Sequence, residues 1–188
     1  MQNIAFKRTG LALASTALLT LYGCGGGSDS SAVASTSSVT LSGHAAVGLA
    51  LTEATVNIKC ATGSGTATTT SSGSYTSTLS NAALPCVLKV TSLDGKTTLH
   101  SVAAGSGGGT VVANITSLTE LVLAQAAGKT PTAFFDTFSS AQAATVSASS
   151  LDAALTNVAD ALKSSVAIGD LKPFTAALVP ATTGSPDS

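Results

Sequence analysis

The chain has 188 residues, of which 44% are hydrophobic but only 4% aromatic, so a core must be built from Ala, Val, Leu and Ile rather than from large rings. Eight Lys and Arg face nine Asp and Glu, and the absence of a basic stripe interleaved with aromatics argues against nucleic acid as a partner. The length allows one domain or two small ones, and abundant Ser, Thr, Ala and Gly describe a weakly charged surface suited to a cell envelope or extracellular setting.

Lys7 and Arg8 make a positive start, and Leu11 to Leu21 (LALASTALLTL) make an apolar run too short for a secure membrane span. This is the pattern of a secretory leader. Its end, LYGC from Leu21 to Cys24, resembles the lipobox of bacterial lipoproteins, with leucine three residues before the cysteine and glycine directly before it. The resemblance implies a signal peptide at 1–23, cleavage between Gly23 and Cys24, a diacylglyceryl thioether on Cys24 and acylation of the new amino terminus. Membrane lipid is then a partner through Cys24, because two or more acyl chains anchor where one binds only weakly. Gly25 stands where an aspartate would favour inner-membrane retention, which implies the outer membrane. Residues 24–38 form the lipidated cysteine and a linker, GGGSDSSAVASTSS, too polar to bury itself and about 20 Å in typical span.

A β domain is expected over 39–112. Val39 and Leu41, then Leu49 and Leu51, then Ala54, Val56, Ile58 and Cys60 alternate as strands with one buried face. Gly43 and Gly48 mark a bulge, a close approach or a turn. Thr66, Thr68 and Thr70 suit an edge strand by their branching, and Tyr75, Ser77 and Leu79 share the face of the next strand. Leu84, Cys86, Leu88 and Val90 follow with Pro85 at an edge or bulge, and Asp94-Gly95 signals a hairpin before Thr97, Leu99 and Ser101. Cys60 and Cys86 both fall in apolar registers, and in an oxidising compartment a disulfide between them is preferred to two buried thiols. About seven strands with this turn spacing suggest a β-sandwich. The phrases VTLSGHAAVGLALTEATVNI, GSYTSTL and LPCVLKV resemble carboxypeptidase-regulatory and transthyretin-like β-sandwiches over about Val39 to Val102. That resemblance implies a noncatalytic accessory or structural module.

A helical region of about three helices is expected over 113–172. GSGGGT, Gly105 to Thr110, reads as a connector without the lysine of a phosphate loop. Ser117 and Glu120 have capping-box spacing ahead of Leu118, Leu121 and Val122, and Gly128, Lys129 and Pro131 form a stop. The phrase NITSLTELVLA resembles a segment that follows the sandwich in proteobacterial envelope lipoproteins. Thr130 caps a second helix with Pro131 in its first turn. Phe134, Phe135 and Phe138 either pack the helices together or onto the sandwich, or, with Tyr75, line a ligand groove or partner surface. Leu151, Leu155, Val158 and Leu162 form the face of a third helix capped by Ser150 and stopped at Gly169. Residues 173–188, with Phe174 as a docked piece, form a tail.

Catalytic chemistry is sparsely provided. His44 and His100 lack zinc-ligand spacing, a serine triad from either of them with Asp94 has no motif behind it, and Glu53 and Asp94 cannot be placed together. Asp152 and Asp160 stand roughly 12 Å apart along a helix, beyond the separation of paired glycosidase carboxylates. Neither metal nor cofactor is expected. The preferred reading is a noncatalytic, lipid-anchored envelope protein that contacts another envelope protein or a cell-wall polymer. The alternative is a small-ligand or glycan binding module, and a hydrolase would need a histidine beside an acid and a nucleophile.

Overall fold

The computed structural model describes residues 37–163 and 172–178. Nine strands precede the helices: β1 (Ser38–Val47), β2 (Leu49–Ala50), β3 (Thr55–Thr62), β4 (Ser64–Thr68), β5 (Ser74–Ser80), β6 (Ala83–Thr91), β7 (Thr98–Gly107), β8 (Gly109–Val112) and β9 (Ile115–Thr116). Then come α1 (Ser117–Ala127), α2 (Pro131–Thr137), a 3-10 helix (Ser140–Val146) and α3 (Ala148–Leu162). The count exceeds the expected seven strands because β2, β8 and β9 are only two to four residues long. Such pieces are too short to carry an alternation. Strand pairing also runs on to Thr116, past Val112 where the β region was expected to end.

The strands form a β-sandwich. One sheet has the order β2-β1-β5, with β8 and β9 also pairing β1, in parallel; the other has the order β4-β3-β6-β7. Val39 and Leu41 of β1, Tyr75 and Leu79 of β5, Val56 and Ile58 of β3, and Leu88 and Val90 of β6 fill the space between the sheets. Alternation on β3 and β5 is therefore real and one-sided. Cys60 and Cys86 lie directly opposite one another on β3 and β6 and are joined by a disulfide. Pro85 sits where the register of β6 against β7 shifts between Leu84 and Cys86, a place that tolerates a missing N–H. Gly43 lies within β1, and a Cβ there would stand 2.8 Å from the Ala113 carbonyl carbon. Only glycine permits that approach.

β6 and β7 are buried on both faces, which sequence alternation could not reveal. Val87 and Val102 point away from the inter-sheet core and meet Val122, Leu123, Phe134, Phe135, Phe138, Val146, Leu151 and Ala154. The helices thus form a third layer on the four-stranded sheet, the arrangement that buries an amphipathic helix most simply. Helix α1 is capped by Thr116 and Thr119, each side chain bonded to the other's N–H at 3.2 and 2.8 Å, rather than by Ser117 and Glu120. Its other end is Gly128, left-handed at φ 63°. Thr130 and Pro131 open α2 as expected. Ser147, not Ser150, caps α3, because the Ser150 hydroxyl donates to the Thr145 and Ser147 carbonyls and its N–H to the Ser147 hydroxyl. The expected stop at Gly169 lies outside the described residues.

Candidate functional site

Of the residues singled out by sequence, Cys24 and its surroundings lie outside the described residues. Tyr75 and the phenylalanine cluster do not meet. Tyr75 belongs to the inter-sheet core, where its hydroxyl donates to the Ala113 carbonyl and burial pushes its phenol well above the ordinary range. Phe134, Phe135 and Phe138 are buried in the layer between sheet and helices, with the rings of Phe134 and Phe138 5.6 Å apart and tilted. Their role is packing, and no aromatic groove forms from these four side chains. The reason is the sheet itself: β6 and β7 stand between the two cores.

The Phe135 ring is held by cations as well. Lys59 Nζ lies 4.7 Å and Lys89 Nζ 4.8 Å from its centroid, a favourable position over the negative face of the ring. Lys59 also donates to the Phe135 and Asp136 carbonyls at 3.0 and 3.1 Å. These are carbonyls at the end of α2, where the Phe135 carbonyl also accepts the N–H of Phe138 at 3.3 Å. A lysine of the β3 face thereby fastens the shortest α-helix to the sheet.

His100 is 1% exposed on β7. Its Nδ1 lies 2.9 Å from Glu120 Oε2, and the same carboxylate accepts the backbone N–H of His100 at 2.5 Å. Thr119 Oγ1 donates to the His100 carbonyl at 3.0 Å. The first turn of α1 therefore satisfies both backbone groups that an edge strand leaves free. Among the described residues His100 Nε2 has no hydrogen-bond partner, and the neighbouring Ser101 hydroxyl is committed to the Asn114 carbonyl. An acid stands beside this histidine, but among the described residues no hydroxyl or thiol hydrogen-bonds to its ring. The arrangement pins a helix to a sheet edge. Sequence reading assigned Glu120 to a cap and so missed the pair; the acid at the fourth position of a helix that follows a histidine strand was the only signal.

Asn114 is a second such fastening. Its Oδ1 accepts the His44 N–H at 3.1 Å, its Nδ2 donates to the Ala176 carbonyl at 2.7 Å and its N–H to the Phe174 carbonyl at 2.7 Å. One buried amide thus joins β1, β7 through Ser101, and the 172–178 segment. Asp94 sits in the β6–β7 turn with Gly95 at φ 71°, as the hairpin signal required. Its carboxyl is held below the usual range by the Ser92 hydroxyl and then by the Lys96 N–H.

A partly open cavity of about 670 Å³ lies between β7, β8, α3 and the 172–175 turn. Val102, Val111, Leu151, Leu155 and Phe174 give it apolar walls, and Asp152, Asp160 and Lys172 also line it. Asp160 is 3.6 Å from Lys163. The size falls in the range of small-molecule sites. Its aromatic wall is Phe174, which sequence reading treated as a docking residue of the tail. Among the described residues no group of three metal-ligating side chains converges. Comparison with protein families, with curated proteins and with solved structures finds no match to this chain.

Proposed function

We propose that this chain is a noncatalytic, lipid-anchored protein of the bacterial envelope, held at the outer membrane through Cys24 and acting as an accessory or structural module for another envelope protein or polymer. The observation that carries the reading is LYGC at the end of a short apolar run behind Lys7 and Arg8. Cysteine usage supports it. The chain has three cysteines, and Cys60 with Cys86 are joined, leaving the one at the lipobox position available to lipid in a compartment that permits disulfides. The short motifs resembling carboxypeptidase-regulatory and transthyretin-like sandwiches agree with an accessory role, as does the use of His100 and Glu120 to fasten α1.

Mass spectrometry of the mature amino-terminal peptide tests the anchor. Acyl mass on Cys24, lost together with membrane association in Cys24→Ala, is expected. A native chain released from membranes without acyl mass overturns the proposal.

The cavity favours a second reading, a small-ligand module whose ligand has an apolar body. Binding of a fluorescent apolar probe to the full chain, abolished by Leu155→Trp, supports it; equal binding by that variant rejects it.

A further inference from the structure

We propose that β5 is a self-pairing edge and that the chain forms a two-fold dimer by laying this strand antiparallel against β5 of a second copy. This inference does not depend on the lipid anchor.

A sandwich has exposed strand edges, and each is a template for another strand unless it is blunted. Here most are blunted. β7 is covered by α1, whose Glu120 and Thr119 take up the N–H and carbonyl of His100. The side of β1 away from β5 carries only the short strands β2, β8 and β9. β4 has five residues, and its Thr66 carbonyl already accepts the Ser77 hydroxyl.

β5 differs from all of these. It runs for seven residues, pairs with β1 from Ser74 to Ser80 without a break in register, and has no strand on its other side among the described residues. It contains no charge, proline or bulge, the three usual guards of an edge. Its outward backbone groups from Thr76 to Ser80 pair with no strand, while the Ser74 carbonyl is taken by the Thr70 N–H and β4 touches the strand across the corner only through the Ser77 hydroxyl and Leu79.

The occupant follows from the sequence of the strand. SYTSTLS is symmetric about Ser77 except at one position: Ser74 corresponds to Ser80 and Thr76 to Thr78, with Tyr75 standing opposite Leu79. With a two-fold axis through Ser77, Thr76 faces Thr78 of the second copy and Ser74 faces Ser80 on the exposed side of the sheet. On the inner side Tyr75 falls in register with Leu79. Hydroxyl pairs are favourable cross-strand neighbours, whereas Tyr75 and Leu79 stay buried in the core of their own copy. The strand already makes a hydroxyl pair with β1, where the Thr40 and Thr78 hydroxyls are 3.1 Å apart. The contact is isologous and closes at two copies, joining the two five-stranded sheets into one. An interface of one strand is small, so the dimer is weak and depends on concentration.

Sedimentation and hydrogen exchange of the purified full chain, from low micromolar to near-millimolar concentration, test this. A dimer is expected, with exchange slowed as it forms at the amides of Thr76 and Thr78, which point away from β1. Thr76→Lys/Thr78→Lys places like charges opposite each other across the axis and weakens association about tenfold. Thr76→Glu/Thr78→Lys changes the same exposed positions but opposes acid to base, and restores it. A chain that stays monomeric overturns the proposal, as does a dimer whose protected amides lie elsewhere, or equal association by the two variants. Protection of β5 in cells but not in the purified chain replaces the second copy with a foreign strand.

Discussion

Reduction of the Cys60–Cys86 bond is expected to remove about 3.5 kcal/mol of stability. The two residues are 26 apart in sequence and directly opposite on adjacent strands. Their strands are already paired along their length, so the bond adds little to the native contacts. What it restricts is the unfolded chain. The closed loop contains β4 and β5, which carry the chain from one sheet to the other, so an uncrosslinked chain must close that crossover afresh each time it folds. Set against a usual domain stability of about 5–15 kcal/mol, the loss is a quarter or more of the total. A domain of this size should melt about 10–14 °C lower. Urea denaturation followed by circular dichroism, with and without reductant, gives the difference directly, because reduced thiols keep the sulfur volume in the core. Cys60→Ala/Cys86→Ala then reports a further loss from the voids at two buried positions. Reduced and oxidised chains that unfold within about 1 kcal/mol of each other would refute the reasoning, since the loop entropy would then have been lost already in the unfolded ensemble.

Four further outcomes follow from the same contacts. Glu120→Ala leaves the His100 N–H and Nδ1 without their acceptor and should cost about 1–3 kcal/mol in urea denaturation, with faster hydrogen exchange in α1 than elsewhere; uniform exchange would show that the pair does not hold the helix. Gly43→Ala drives a Cβ into the Ala113 carbonyl and should destabilise the fold by roughly 1–3 kcal/mol, whereas an unchanged melting curve would mean that the β1–Ala113 contact gives way freely. The Tyr75 phenol, raised by burial, binds its proton more tightly folded than unfolded, so its contribution is complete below about pH 10 and is lost as pH rises beyond it; in the chain from Cys24 onward, whose one tyrosine is Tyr75, phenolate absorbance that grows near pH 10 while the circular dichroism stays native would contradict this. Asp94 has the opposite sign: its lowered carboxyl favours the folded hairpin above about pH 3.9, and that preference disappears as pH falls through the folded value. Ser92→Ala should move the Asp94 carboxyl titration, followed by NMR, back toward the ordinary range.

Local pattern carried much of this fold. Parity placed Cys60 and Cys86 on the inner faces of two strands, Asp94-Gly95 marked a turn that needs positive φ, and Thr130-Pro131 announced α2. Each is a statement about neighbours a few residues apart, and each rests on backbone preference or on a period of two. The capping residues of α1 and α3 were misplaced by one and three residues, because Thr116 with Thr119 and Ser147 with Ser150 compete with nearby hydroxyls that are equally good caps on paper.

What only the tertiary structure decided is which surfaces face each other across long stretches of chain. β8 and β9 pair with β1 some 70 residues away, and strands of four and two residues carry no periodic signal of such a partner. Burial of β6 and β7 on both faces replaces alternation with nearly continuous burial, and such a run does not say which residues cover the second face, so the places of the phenylalanines, of His100 and of Glu120 were left to packing. The amino acids determined where the chain turns and which side of a strand is apolar, since those are short-range matters of sterics and hydration. The partner of each apolar side was settled by packing, which is collective and has no address in any single segment.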